Sequence, residues 1–214
     1  MKTVAIACAL LLTGDLHARE ATNPAPAMAP EAVPSDWSFA VSVYTYLPPK
    51  NDAYAQPTIT ADRDWLHLEA RYNYEDLETG SVWVGYNLGV GDTLSLELTP
   101  MLGGVFGNTT GIAPGCHLTL GWWWLELYSE GEYVFETSDH TESFFYSWSE
   151  LTLSPLDWLR AGLVMQRTGV YESELEIQRG FVVGLNIKRF EIAGYMFNPD
   201  KSEPAYVLSL GVQF

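Results

Sequence analysis

The chain has 214 residues, a formal net charge of −16 and an aromatic content of 14%, including 8 Trp. This acidity argues against nucleic acid as a partner, because phosphates require a positively charged surface. No stretch approaches the roughly 20 apolar residues that a membrane-spanning helix needs, so we predict no helical anchor.

The first 36 residues are predicted to be an export signal and a tether rather than part of a folded domain. Met1 and Lys2 form a short basic start, and residues 3–14 are an apolar run with the length of a signal-peptide core. We therefore predict a signal peptide over residues 1–18. Residues 19–36 are rich in Pro and Ala and are predicted to be a disordered periplasmic tether. After cleavage Cys116 is the single cysteine, which excludes an internal disulfide.

From Trp37 onward the chain consists of runs of about ten residues in which apolar and polar side chains alternate, separated by turn-forming clusters. This period of two predicts an all-β domain over residues 37–214 that consists of antiparallel strands. We count about 12 strands if a weak element near Thr58 is included. Ten is the alternative if that element, or the turn at residues 122–124, is misread. We assign residues 62–64 to a tight turn, and residues 75–80 and 108–114 to loops.

The last ten residues alternate without interruption and end on an aromatic residue. A strand that runs to the end of the chain is expected to close a sheet, because an unpaired edge promotes aggregation. The run resembles the C-terminal assembly signal of bacterial outer-membrane β-barrel proteins, which ends in Phe. The residues that carry this resemblance are Tyr206, Leu208, Leu210, Val212 and Phe214.

The resemblance implies a transmembrane antiparallel up-and-down β-barrel in the outer membrane of a Gram-negative bacterium. It also implies that the barrel-assembly machinery, the lipid bilayer and lipopolysaccharide are partners.

Alternation alone would also fit a soluble barrel whose apolar face points inward. Two features favour the membrane barrel. Seven glycines fall on the polar face, as a crowded interior requires, and eight aromatic residues fall at one rim. The glycines are residues 85, 103, 121, 162, 180, 184 and 211, and the predicted periplasmic girdle is Trp37, Trp65, Trp122, Trp123, Trp124, Trp158, Phe190 and Phe214.

The polar face of the predicted barrel carries many more acidic than basic side chains. An unpaired ion in a poorly hydrated interior costs several kcal/mol, so these charges must be either paired or hydrated. One hypothesis is a narrow channel that admits small polar or cationic solutes through an acidic lumen. The alternative is a closed structural or interaction barrel in which arginines bind the carboxylates and plug the lumen. The candidate lumen residues are Glu69, Arg71, Glu97, Glu126, Glu130, Glu132, Glu150, Arg160 and Glu176.

Catalysis and metal binding receive little support from the sequence. Some outer-membrane barrels of similar size carry Ser/His hydrolase sites that act on lipids. The local sequence that could form one here is residues 139–143, Asp-His-Thr-Glu-Ser, in a predicted outer loop. Such residues are also what a polar loop ordinarily contains. His67 and His117 are predicted to face inward without the spacing of paired ligands, so we predict no metal, no cofactor and no enzyme. The sequence leaves open which solute or partner the barrel has.

Overall fold

The computed structural model describes residues 36–138, 142–170 and 176–214. The predicted signal peptide and almost all of the predicted tether lie outside these residues. Every regular element in the described ranges is a β-strand, and no helix there has the length and hydropathy needed to cross a bilayer. The strands are β1 (Ser38–Leu47), β2 (Tyr54–Arg63), β3 (Leu66–Tyr72), β4 (Thr79–Tyr86), β5 (Leu88–Val90), β6 (Leu94–Gly107), β7 (Gly111–Trp122), β8 (Leu125–Glu136), β9 (Phe144–Leu156), β10 (Leu159–Val170), β11 (Glu176–Ile187), β12 (Phe190–Phe197) and β13 (Ala205–Gln213).

The strands form one closed antiparallel barrel. β4 and β5 are separated by Asn87 and both pair with β6, so they occupy one position in the wall and the barrel has twelve strands. β1 pairs with β13, from Ala40 opposite Gln213 to Leu47 opposite Tyr206. The predicted all-β up-and-down barrel is confirmed, with twelve strands rather than ten.

Two local sequence predictions were wrong. β2 spans ten residues, longer than the weak element expected near Thr58. The loop expected over residues 108–114 is only three residues long, because β7 begins at Gly111 and pairs with β6 from there. Gly and Pro made this segment resemble a loop. Pro114 lacks an N–H group, and the pairing of β7 with β8 is interrupted next to it, between Ile112 and Gly115.

The apolar face of the strands points outward. On β13 the side chains of Leu208 and Leu210 are 53% and 51% exposed, whereas Val207 and Ser209 are 3% and 5% exposed. The same alternation of exposed and buried residues continues around the wall, for example along β4. A continuous apolar surface of this kind is unfavourable in water, and lipid-facing barrels have it. The soluble alternative with an inward apolar face is therefore wrong for these strands.

The interior is filled with side chains. Trp83, Trp148, Tyr195 and Phe197 point inward and are each less than 5% exposed. Glycine at matching positions makes room for them. A Cβ atom at Gly103 would lie only 2.4 Å from the ring of Trp83. The bulky interior and the small residues opposite it are thus parts of one packing arrangement.

Candidate functional site

Arg71 is at the centre of a buried ion cluster on the inner face of β3. Its side chain is 2% exposed, and its Nε donates a hydrogen bond to Glu69 Oε1 at 2.7 Å. Its Nη1 donates to Glu132 Oε2, also at 2.7 Å. The guanidinium carbon lies 4.3 Å from the centre of the Tyr74 ring and 4.6 Å from that of Trp83. Arg71 is therefore fixed by two carboxylates and two aromatic faces.

Two histidines extend this group toward β2 and β7. His67 Nδ1 lies 2.7 Å from Asp62 Oδ1, and His67 Nε2 lies 3.2 Å from Glu69 Oε2. His117 Nε2 lies 3.3 Å from Arg71 Nη2. Arginine can only donate, so His117 Nε2 must accept and carries a lone pair on this side. We refer to Asp62, His67, Glu69, Arg71, His117, Glu130 and Glu132 as the Arg71 cluster.

Several carboxylates in and next to the Arg71 cluster have further contacts or unused acceptor atoms. Glu130 accepts hydrogen bonds from the hydroxyl groups of Tyr74 and Tyr128. Glu75 lies in the loop after β3, and burial raises its pKa above the usual value, although the nearby Arg71 acts in the opposite direction. Glu75 Oε2 and Glu132 Oε1 are buried and accept no hydrogen bond from any of the described residues. The cluster therefore has spare acceptors next to its guanidinium group.

A second ion cluster centres on Arg160 of β10. Arg160 Nη1 donates to Glu150 Oε2 at 2.5 Å, and Nη2 donates to Glu191 Oε1 at 2.6 Å. Glu150 Oε1 also accepts from Trp148 Nε1 at 2.9 Å and from the Tyr195 hydroxyl at 3.0 Å. We refer to these five residues as the Arg160 cluster. Gly184 makes room for it, because a Cβ there would lie 2.8 Å from Arg160 Nε.

Aromatic side chains bridge the bore between distant strands. Tyr44 on β1 has its ring centre 6.0 Å from those of Trp148 on β9 and Tyr195 on β12. Tyr74, just beyond β3, contacts Tyr146 on β9 with ring centres 5.3 Å apart. β1 and β9 are far apart in the strand order, so these contacts cross the interior. Together with the two ion clusters, they occupy part of the interior between these strands.

The candidate lumen residues thus fall into separate groups. The structure brings Glu69, Arg71, Glu130 and Glu132 together, and it brings Glu150 and Arg160 together elsewhere. Glu97 and Glu126 face the bore, are partly exposed and belong to neither cluster. Glu176 is the first residue of β11, and its side chain lies outside the described residues.

The predicted girdle residues lie at one end of the barrel. The turns after β2, β7, β9 and β11 share this end with both termini of the barrel, and we call it the terminal end. The side chains of all eight predicted girdle residues are exposed. At the same end, the backbone N–H of Phe214 donates a hydrogen bond to the carbonyl oxygen of Phe39 at 2.9 Å. On the terminal strand, Val212 is half-buried and the other four signal residues are exposed. Their roles as membrane girdle and assembly signal remain predictions. The residues at the terminal end are Trp37, Trp65, Trp122, Trp123, Trp124, Trp158, Phe190 and Phe214.

Sequence reasoning missed several carboxylates that belong to the clusters or lie next to them. Asp62 was assigned to a turn and Glu75 to a loop, yet both contribute carboxylates next to the Arg71 guanidinium or its partners. Glu191 occupies an inward position of β12, and strand alternation could have found it. Alternation placed His67 and His117 on the inner face but carried no information about their distance from each other.

The candidate hydrolase site over residues 139–143 lies partly outside the described residues. Asp139, His140 and Thr141 lie outside the described residues. The Ser143 hydroxyl oxygen accepts a hydrogen bond from the backbone N–H of Glu136 at 3.0 Å. A hydrolase site in this loop therefore stays a hypothesis from sequence.

Comparison with solved structures shows that this closed twelve-stranded barrel has the fold of KdgM porin. A solved structure of KdgM porin matches with a TM-score of 0.56 and 9% sequence identity, covering 82% of this chain and 99% of that chain. A second structure, KdgM porin in complex with disordered oligogalacturonate, matches with the same values. No protein-family model and no curated protein sequence matches the chain. At this level of identity the similarity establishes the fold.

Proposed function

We propose that this protein is a narrow, cation-preferring channel of the bacterial outer membrane, closed by its own side chains in the conformation described above. The observation that carries the proposal is the imbalance of charge inside a barrel of porin fold. In the described residues, the basic side chains that face the bore are Arg71 and Arg160. The carboxylates that face it are Asp62, Glu69, Glu97, Glu126, Glu130, Glu132, Glu150 and Glu191.

The outer-membrane location is supported by the outward apolar surface and by the porin fold of the neighbours. A bore with surplus carboxylates concentrates cations and repels anions. One KdgM neighbour was solved with oligogalacturonate, a sugar chain that carries carboxylates. Such a polyanion would meet like charge in this bore, so small cations and small neutral polar solutes are the better candidates.

The path for these solutes would begin at the terminal end. Ser95, Glu97, Thr119 and Glu126 face the bore there and are partly exposed. They form a polar vestibule that leads to the Arg71 and Arg160 clusters. Passage would require these clusters to rearrange, because their side chains fill the space beyond the vestibule.

Reversal potentials in planar bilayers test the charge preference. We expect the purified barrel, in a potassium chloride gradient, to give a reversal potential that shows cation preference. The double variant Glu97→Gln and Glu126→Gln should weaken this preference, because it removes two vestibule charges that belong to neither cluster. A reversal potential that shows anion preference in the unmodified protein would contradict the proposal.

A closed structural barrel is the second candidate, and a specific observation favours it. Val105, Ala113 and Val134 point into the barrel and are 3%, 0% and 0% exposed, so part of the interior is as dry as a protein core. A closed barrel would show no discrete conductance in planar bilayers, even when the ion clusters are disrupted by substitution. The channel and the closed barrel are therefore distinguished by the same recordings.

A further inference from the structure

We propose that His67, Glu69 and His117 form a binding site for a divalent transition-metal ion, with Zn²⁺ as the best match. The ligand atoms of the three residues all lie within 4.8 Å of one another. Glu69 Oε2 is 3.2 Å from His67 Nε2 and 3.8 Å from His117 Nε2. Tetrahedral Zn²⁺ with ligands at about 2.0–2.1 Å places its donor atoms about 3.3 Å apart, so small side-chain movements would complete the geometry. The site does not depend on whether the barrel conducts.

The fold brings these ligands together from distant strands. His67 and Glu69 are two residues apart on β3 and therefore share its inner face. β4 and β6 separate β3 from β7, which carries His117. Gly85 of β4 pairs with His67, and a Cβ atom there would lie only 3.3 Å from the His67 ring. Glycine at this position leaves the imidazole free to reach toward His117, and the two ring centres are 5.7 Å apart.

The histidines are already arranged as metal ligands are. The Asp62 carboxylate binds His67 Nδ1 at 2.7 Å, which leaves Nε2 directed at Glu69. A carboxylate on the second ring nitrogen is the usual partner of a metal-ligating histidine, because it fixes the ring and raises its basicity. His117 Nε2 accepts from Arg71 and therefore presents a lone pair to the cluster.

The charge of the Arg71 cluster also suits a cation. Asp62, Glu69, Glu130 and Glu132 supply four carboxylates, and the Arg71 guanidinium binds two of them, Glu69 and Glu132. Buried charges of one sign are costly unless they are compensated. A divalent cation would offset part of this excess. Two imidazoles and a carboxylate select Zn²⁺ over Mg²⁺ and Ca²⁺, which prefer oxygen ligands alone.

Arg71 must move for the metal to bind, and the structure provides a place for it. Its Nη2 now lies 3.3 Å from both Glu69 Oε2 and His117 Nε2. On its other side, Glu75 Oε2 and Glu132 Oε1 are buried without a hydrogen-bond partner in the part of the chain that the structure describes, and Nη1 is 3.9 Å from Glu75 Oε1. A rotation of the guanidinium toward these acceptors would release Glu69 Oε2 and His117 Nε2 while keeping Arg71 paired. A water molecule would then fill the fourth position on the metal.

The test is titration of the folded, untagged full-length mature barrel with zinc chloride after treatment with a chelator. We expect calorimetry to show one Zn²⁺ per barrel, and Co²⁺ to give the visible absorption of a tetrahedral site. His117→Ala should lower the Zn²⁺ affinity at least about 100-fold, and Asp62→Asn, which removes only the carboxylate behind His67, should lower it about 10- to 100-fold.

His140→Ala and Glu97→Gln are the matched controls, since each leaves the three ligands intact and should bind Zn²⁺ with unchanged affinity. Circular dichroism of each variant verifies that the barrel has folded. If His117→Ala does not fold, the Zn²⁺ affinity of Asp62→Asn still tests the proposal. The proposal is overturned if the barrel binds no Zn²⁺ at a ratio near one, or if Asp62→Asn and His117→Ala bind it as tightly as the unmodified protein.

Discussion

Replacing Arg71 with Ala is expected to raise the single-channel conductance of the barrel several-fold. The side chain occupies space between Tyr74 and Trp83 and holds Glu69 and Glu132 across the interior. Its loss removes bulk from the bore and leaves carboxylates that repel one another and attract water. Cation preference should increase as well, because a positive charge has been removed. Single-channel recording in planar bilayers measures both effects.

Arg179→Ala is the matched control for this substitution. Arg179 points away from the bore, its side chain is 76% exposed, and its ion pair with Asp200 is long at 3.7 Å. An exposed pair of this kind contributes little, so the control should leave conductance and stability nearly unchanged. If folded Arg71→Ala conducts no better than Arg179→Ala, then Arg71 does not obstruct the conduction path.

Replacing Glu150 with Ala should lower the free energy of unfolding by about 3–5 kcal/mol, the range for removing one partner of a buried ion pair. Glu150 is 5% exposed and accepts hydrogen bonds from Arg160, Trp148 and Tyr195. The substitution removes the acceptor of Arg160 Nη1, Trp148 Nε1 and the Tyr195 hydroxyl inside the barrel. Glu191 still binds Arg160, which places the expected loss toward the lower end of the range.

Urea unfolding of the refolded barrel, followed by tryptophan fluorescence, measures this loss. Glu97→Ala is the control, because Glu97 faces the same bore, is partly exposed and belongs to neither ion cluster. Its effect should stay within about 0.5 kcal/mol, as for other substitutions away from buried networks. If Glu150→Ala and Glu97→Ala lower the free energy of unfolding equally, then the hydrogen bonds of Glu150 do not stabilise the barrel more than a partly exposed carboxylate does.

Much of the fold could be predicted from the sequence, because the alternation of apolar and polar residues that marks a strand is a local pattern. The alternation over residues 205–214 needs no distant information, and it predicted a strand with one apolar and one polar face. That the apolar face points outward was predicted from the glycines on the polar face and the aromatic residues at one rim. Local composition failed at residues 108–114, where Gly and Pro suggested a loop although β7 starts at Gly111. Pairing with β6 overrides the local preference there, and that pairing is a tertiary effect.

The site was much less accessible to sequence reasoning. Alternation gives the face that Glu69 and Arg71 share, but it cannot give their neighbours across the bore. Glu132 is 61 residues from Arg71, and their contact depends on the stagger of the strands around the whole barrel. The approach of His117 to His67 depends on the same stagger and on Gly85 between them. For this reason the sequence left both a channel and a plug open.

The most direct test of the account is a single-channel recording of the unmodified protein in symmetric potassium chloride. If the ion clusters and aromatic rings close the bore at rest, the trace should show long closed periods interrupted by brief openings. Arg71→Ala, recorded in the same bilayer, should shorten the closed periods. A steady open current from the moment of insertion would contradict the account, because it would mean that the packed interior does not block the passage of ions.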